Sequence, residues 1–119
     1  MPPETEWQLW RQLKGSFRVD RFHMVPVVEN FRRGNVYQYE TMEEALAEAI
    51  GDRVFLEPKG GKSVADLPQG DIVLVFGNTE HSNQEFAKPD EMYRINTPSR
   101  TVLYGCNAAA IALAIRHGQ

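Results

Sequence analysis

The residues whose types could carry chemistry gather just after short apolar runs. Ile72-Val73-Leu74-Val75-Phe76 is unbroken and rich in β-branched residues, and Gly77-Asn78-Thr79-Glu80 ends it. A run of this kind suits a strand covered on both faces, the central strand of a parallel sheet. Open parallel sheets bind their ligands outside the carboxyl ends of the strands, so Gly77, Asn78 and Glu80 fall where a site is expected. Pro58-Lys59-Gly60-Gly61-Lys62-Ser63 follows a second apolar run, Val54-Phe55-Leu56. Its Gly-Lys-Ser ending invites comparison with a phosphate-binding loop. That motif needs a glycine five residues before its Gly-Lys pair, and Leu56 stands there instead. The two glycines leave the backbone open to a ligand or to a neighbouring loop.

Other chemistries have less to stand on. Cys106 has no histidine placed near it by any local signature and reads as a small buried apolar residue. His23, His81 and His117 lack metal-ligand spacing to cysteine or acidic residues, so no metal site is expected. His81 lies beside Glu80 in the expected site loop and has the chemistry of an acid or base near neutral pH; an ordinary surface histidine is the simpler reading. The net charge is −3, so any grip on nucleic acid has to rest on local basic patches. These are Arg11, Lys14, Arg18 and Arg21, then Arg32-Arg33, then Lys59 with Lys62, and solvated surface charge explains each equally well.

The elements that would position these groups alternate between helix and strand. Residues 5–13 read as a helix, with Trp7, Trp10, Leu13 and then Phe17 at helical spacing, and Gly15-Ser16 is expected to break it. Its aromatic face covers the sheet or serves self-association. Residues 22–28 read as a strand with Pro26 near its end, and residues 29–39, polar and aromatic without a period, as a loop. Thr41 with Glu44 is a capping box for a helix through Ile50, closed by Gly51. Residues 53–57 make a short strand, and after a turn at Pro68-Gln69-Gly70 comes the run at Ile72. Residues 92–95 make the last strand. A final helix spans residues 106–117, and its alanines, apolar nearly all round, predict burial on most sides. Arg116 and His117 suit its negative end. The alternation argues for a mostly parallel α/β arrangement.

A length of 119 residues suits one domain, 1–119, with its own core. No stretch approaches the ~20 apolar residues of a membrane span. The first residues, Met-Pro-Pro-Glu-Thr-Glu, have neither the basic segment nor the apolar core of a secretory signal. A single cysteine forms no internal disulfide, and a cytoplasmic location is expected.

The order of these pieces resembles the SPOUT RNA methyltransferases, most closely the SpoU branch, which methylates ribose 2′-hydroxyls. The residues that carry the resemblance are Arg53-Val54-Phe55-Leu56 with Lys59-Gly60, Leu74-Val75-Phe76-Gly77-Asn78, Arg94-Ile95-Asn96-Thr97-Pro98 and Ala108-Ala109-Ala110-Ile111. It is clearest over residues 53–117 and extends more faintly to the first helix, which Pro2-Pro3-Glu4-Thr5 opens. The resemblance implies an α/β domain whose mostly parallel sheet is flanked by helices and ends in a C-terminal trefoil knot, an exception to the rule that chains avoid knots. It implies a homodimer packed through the first and last helices, RNA as the partner, and S-adenosylmethionine as cofactor. The cofactor would lie among three loops, at Leu56, Pro58 and Gly60, at Phe76, Gly77 and Asn78, and at Ile95, Thr97 and Pro98 running on to Leu103. Backbone groups would hold most of the adenine.

The departures from the family pattern fall at the catalytic positions. The strand that precedes the first helix in the family has no counterpart. The family's helix arginine is matched by Trp10, with Arg11 beside it. The glutamate after Phe-Gly is matched by Thr79, with Glu80 one step later. The family's Ser-Leu-Asn falls on Val102-Leu103-Tyr104, and the nearest asparagine is Asn107, also a candidate helix cap. Arg11, Glu80 and Asn107 are therefore the candidate catalytic residues. Methyl transfer from a sulfonium needs alignment plus help in deprotonating the hydroxyl, so cofactor binding tolerates losses that catalysis does not. The expected function is an S-adenosylmethionine-dependent ribose 2′-O-methyltransferase acting on tRNA or rRNA. The alternative is a catalytically inactive SPOUT-like dimer that binds a ligand or RNA, and a third is an unknotted α/β ligand-binding domain.

Overall fold

The computed structural model describes residues 3–77, 84–97 and 105–118. Its contacts divide the chain into two compact units, Met1–Ala49 and Ile50–Gln119. Among the described residues the strands of both pair in parallel, so the mostly parallel α/β character expected from the alternation of elements is present.

In the first unit, helix α1 covers Pro3–Phe17 and continues through Gly15-Ser16. One glycine in a helix costs about 1 kcal/mol, too little to stop a helix anchored by a buried tryptophan. Trp7 meets Phe22 and Phe31 edge-on, with centroids 5.3 and 6.4 Å away, and Trp10 meets Phe22 at 6.0 Å. The helix stops at Arg18, whose φ of 55° is the left-handed turn that commonly closes helices. Strand β1 is only Phe22–Met24, and Pro26, which has no N–H to give to a ladder, follows it. Strand β2, Val36–Gln38, lies in the stretch expected to be a loop and pairs with β1, Phe22 beside Val36. The Gln38 side chain closes the intervening loop. Its carbonyl accepts from Val28 N–H at 2.7 Å and its amide donates to Phe31 O at 2.6 Å.

Helix α2, Met42–Glu48, starts where expected: the Thr41 hydroxyl accepts from Glu44 N–H at 3.2 Å and donates to its carboxylate at 2.9 Å. It ends two residues before Ile50, as Ala49 turns to extended backbone. Gly51 starts the next strand rather than closing the helix. Its φ is +131°, and a Cβ there would lie 2.6 Å from Asp71 O, the carbonyl that accepts from Asp52 N–H.

The second unit holds a four-stranded sheet of β3 (Asp52–Leu56), β4 (Lys62–Ser63), β5 (Ile72–Val75) and β6 (Met92–Arg94), in the order β4-β6-β3-β5. This corrects the place of the Ile72 run. It has β3 as its one neighbour among the described residues, and of its four residues only Val75 is buried. The centre of the sheet is β3, where Val54 and Phe55 are both 0% exposed. Val54 packs with Val64, Leu67, Tyr93 and Ala112, and Ile72, Leu74, Ile95 and Ile115 surround that core. Helix α3, Gly105–His117, buries Cys106, Ala108, Ala109, Ala112 and Leu113. Asn107, Ile111 and Ala114 are exposed, so α3 is two-faced rather than buried on most sides. Arg116 anchors its end by donating to the carbonyls of Pro68, Gln69 and Gly70 across the expected turn.

Candidate functional site

Parallel pairing brings the carboxyl ends of β5, β3 and β6 to the same end of the sheet. Phe55 stands between Val75 and Met92, and Leu56 lies beside Tyr93. The segments that leave these strands, 57–61, 76–77 and 95–97, therefore start side by side. Seven of the ten expected cofactor-binding residues lie on or beside them: Leu56, Pro58, Gly60, Phe76, Gly77, Ile95 and Thr97. Asn78, Pro98 and Leu103 lie outside the described residues.

The first segment is a tight turn locked onto β6. Gly60 N–H donates to Glu57 O at 3.0 Å, and Glu57 N–H donates to Tyr93 O at 2.9 Å. Gly60 is buried, and a Cβ on it would come within 2.5–2.8 Å of the Tyr93 backbone. Of the two uses open to this glycine, a ligand or a neighbouring loop, the close approach to β6 accounts for it. Gly61, with nothing within 4 Å, keeps free space beside it. Pro58 and Gly77 are exposed, and Leu56, Phe76, Ile95 and Thr97 are half-buried.

Arg94 binds the first segment to the third. Its Nη1 donates to Gly60 O at 3.2 Å and to Gly61 O at 3.1 Å, while Nε donates to Asn96 Oδ1 at 3.0 Å. Beside it, the Lys62 ammonium sits 5.6 Å from the Tyr93 ring centroid. Glu57, only 8% exposed, places a carboxylate at the carboxyl end of β3. Arg94 and Glu57 were not marked as site residues from the sequence. For Arg94, a visible signal was an arginine at a strand end with Asn96 two residues on.

The candidate catalytic residues come from separate parts of the chain. Arg11 is exposed on α1 in the first unit. Asn107 is exposed in the second unit as the third residue of α3, inside the helix rather than at its cap. Glu80, with His81, lies outside the described residues. Trp10, at the place of the family arginine, is committed to Phe22 and to the Glu6 carboxylate, which accepts from its Nε1 at 3.3 Å. Cys106 is buried and unpaired by any disulfide. Among the described residues no three His, Cys, Asp or Glu side chains form a group that could hold a metal. No helix among them is long and apolar enough to cross a membrane.

The arrangement gathers three segments at the end of the sheet where parallel sheets bind ligands, with Arg94 fixing the first of them to the third. Compared with known proteins, the chain matches no family model, and no curated sequence matches it.

Proposed function

We propose that the end of the sheet formed by residues 57–61, 76–77 and 95–97 binds S-adenosylmethionine, and that the protein is an RNA ribose 2′-O-methyltransferase of the SPOUT type, knotted at its C-terminal end and working as a homodimer. The observation that carries this reading is the cross-linking of the first and third segments. Gly60 abuts the Tyr93 backbone while Arg94 holds the Gly60 and Gly61 carbonyls and Asn96. Loops fixed in this way offer a preformed set of backbone donors and acceptors, which suits an adenine held by main chain.

A second reading, an inactive dimer that binds ligand or RNA without chemistry, is favoured by one observation. Trp10, where an activating arginine would stand, is occupied in packing and in a bond to Glu6. Calorimetry with S-adenosylmethionine, run beside transfer of a labelled methyl group to bulk tRNA and rRNA, separates the two. Binding with transfer supports the enzyme, and binding without transfer supports the inactive dimer. No binding ends both cofactor readings. Gly77→Val, which fills the space beside the exposed bend after β5, is expected to abolish cofactor binding; unchanged affinity counts against the site.

A further inference from the structure

The first unit carries a hollow that none of the foregoing uses. Val27, Arg32, Val36, Tyr37, Gln38 and Tyr39 line an open concavity of about 420 Å³ beside β1 and β2. Its floor combines aliphatic surface with ring faces. Tyr37 is 45% exposed and Val27 39%, large values for apolar groups that nothing covers. The Arg21 guanidinium lies over the Tyr37 ring, 5.0 Å from its centroid. Behind Tyr37, His23 is stacked flat on Tyr39, centroids 5.3 Å apart and planes 6° apart. Gln38 spends its amide on the loop at Val28 and Phe31. Arg32 is exposed at the rim.

Flat faces next to planar cations suit a partner that is itself flat and carries negative charge. A nucleobase with its phosphate has that chemistry, since every base has a π face and guanidinium groups meet both base and phosphate. Charge along this part of the chain agrees. Between Arg11 and Arg33 there are six basic residues against Asp20 and Glu29, in a protein whose net charge is −3. Local basicity on an acidic chain is what distinguishes a patch from a generally cationic surface.

We propose that this hollow takes an unpaired base of a single-stranded RNA, with Tyr37 as the stacking face and Arg21 and Arg32 meeting the adjoining phosphates. The site deepens the RNA part of the function proposed above, yet it uses none of the cofactor residues, so each can fail alone. A strand is favoured over a free nucleotide because the same unit carries further basic side chains, Arg11, Lys14 and Arg18, more than one nucleotide needs.

The test is fluorescence anisotropy with a labelled single-stranded RNA of about twelve nucleotides, within the span such sites cover, titrated at several salt concentrations. Tyr37→Ala is expected to weaken binding by about fivefold to a hundredfold, the loss typical for one stacked base. Tyr37→Phe, which keeps the face, is expected to bind like the unaltered protein. Arg21→Gln and Arg32→Gln should each lower the salt slope by about 0.7, the single-strand increment per phosphate. Unaltered binding by Tyr37→Ala overturns the proposal, as does a preference for a duplex of the same sequence. Competition by free AMP at the affinity of the strand overturns the choice of a strand. Calorimetry with S-adenosylmethionine on the same Tyr37→Ala sample keeps the two readings apart: cofactor binding without RNA binding by the unaltered protein sinks the hollow alone, and the reverse sinks the cofactor site alone.

Discussion

His23 presses flat against Tyr39, and its Nδ1 is buried without a hydrogen-bond partner among the described residues. Burial first, and the Arg21 charge second, pull its pKa below the ordinary 6.5, with Glu48 pulling weakly the other way. The unfolded chain thus takes up a proton near 6.5 that the folded ring resists. Stability from this group is complete above that value and falls as pH drops below it. Thermal melts should show the wild type losing Tm relative to His23→Phe between about pH 7 and pH 5.5; a constant difference would clear His23 of the effect. Arg94 invites a different test. One guanidinium serves two backbone carbonyls and Asn96, geometry that a single ammonium does not reproduce. Both Arg94→Ala and Arg94→Lys should lower stability in urea, the former by about 1–2 kcal/mol, and a silent Arg94→Ala would show the clamp to be dispensable. Both residues were plain in the sequence as letters. Their roles were not, because stacking and bridging depend on which strands lie side by side.

At the scale of elements, two glycines, Gly51 and Gly60, hold close chain approaches that a side chain would block. Gly60→Ala drives a methyl into the Tyr93 backbone and should cost about 1–3 kcal/mol, the usual range for overpacking. Gly61→Ala meets nothing within 4 Å and should lie within about 0.5 kcal/mol of wild type. Equal losses in chemical denaturation would refute the assignment. Elements with strong local signals were legible: α2 through its Thr41 cap, β6, and the span of α3. The order of the sheet was not. Apolar continuity made Ile72–Val75 look central, yet it is β3, opened by Asp52 and Arg53, that is covered on both faces at Val54 and Phe55. Its charged start masks two buried positions, too few to show a period. Strand β2, three residues long, is likewise below the length at which alternation can be read. Helix α3 misled for another reason: alanine has one hydropathy whether it faces core or water, so a two-faced helix reads as buried all round.

For the molecule as a whole, the proposed homodimer makes a clear demand on α3. Asn107, Ile111 and Ala114 follow one another at helical spacing on its exposed side, and Ile111 is 36% exposed. If that stripe meets a second copy, Ile111→Asp places a charge in a desolvated contact. Light scattering should then show the mutant as a monomer at concentrations where the unaltered protein is dimeric, and an unchanged mass would remove α3 from the interface. That the three segments after β3, β5 and β6 leave from one end of the sheet was legible, because parallel strands share a polarity and finding the strands finds that end. How the candidates Arg11, Asn107 and Glu80 stand to one another was not, because they come from remote parts of the chain and only the fold decides their distances.

Parallel pairing also governs how the protein is born. Among the described residues no two neighbouring strands are joined by a hairpin: Phe22 waits for Val36, Asp52 for Ile72, and Phe55 for Met92. Emerging from the ribosome, the most buried strand, β3, therefore stays half-paired until Met92 and Tyr93 have been made. Closing such long loops before any reward slows folding to milliseconds or longer, and in that interval the bare flank of Val54-Phe55 is where nascent chains would stick to one another.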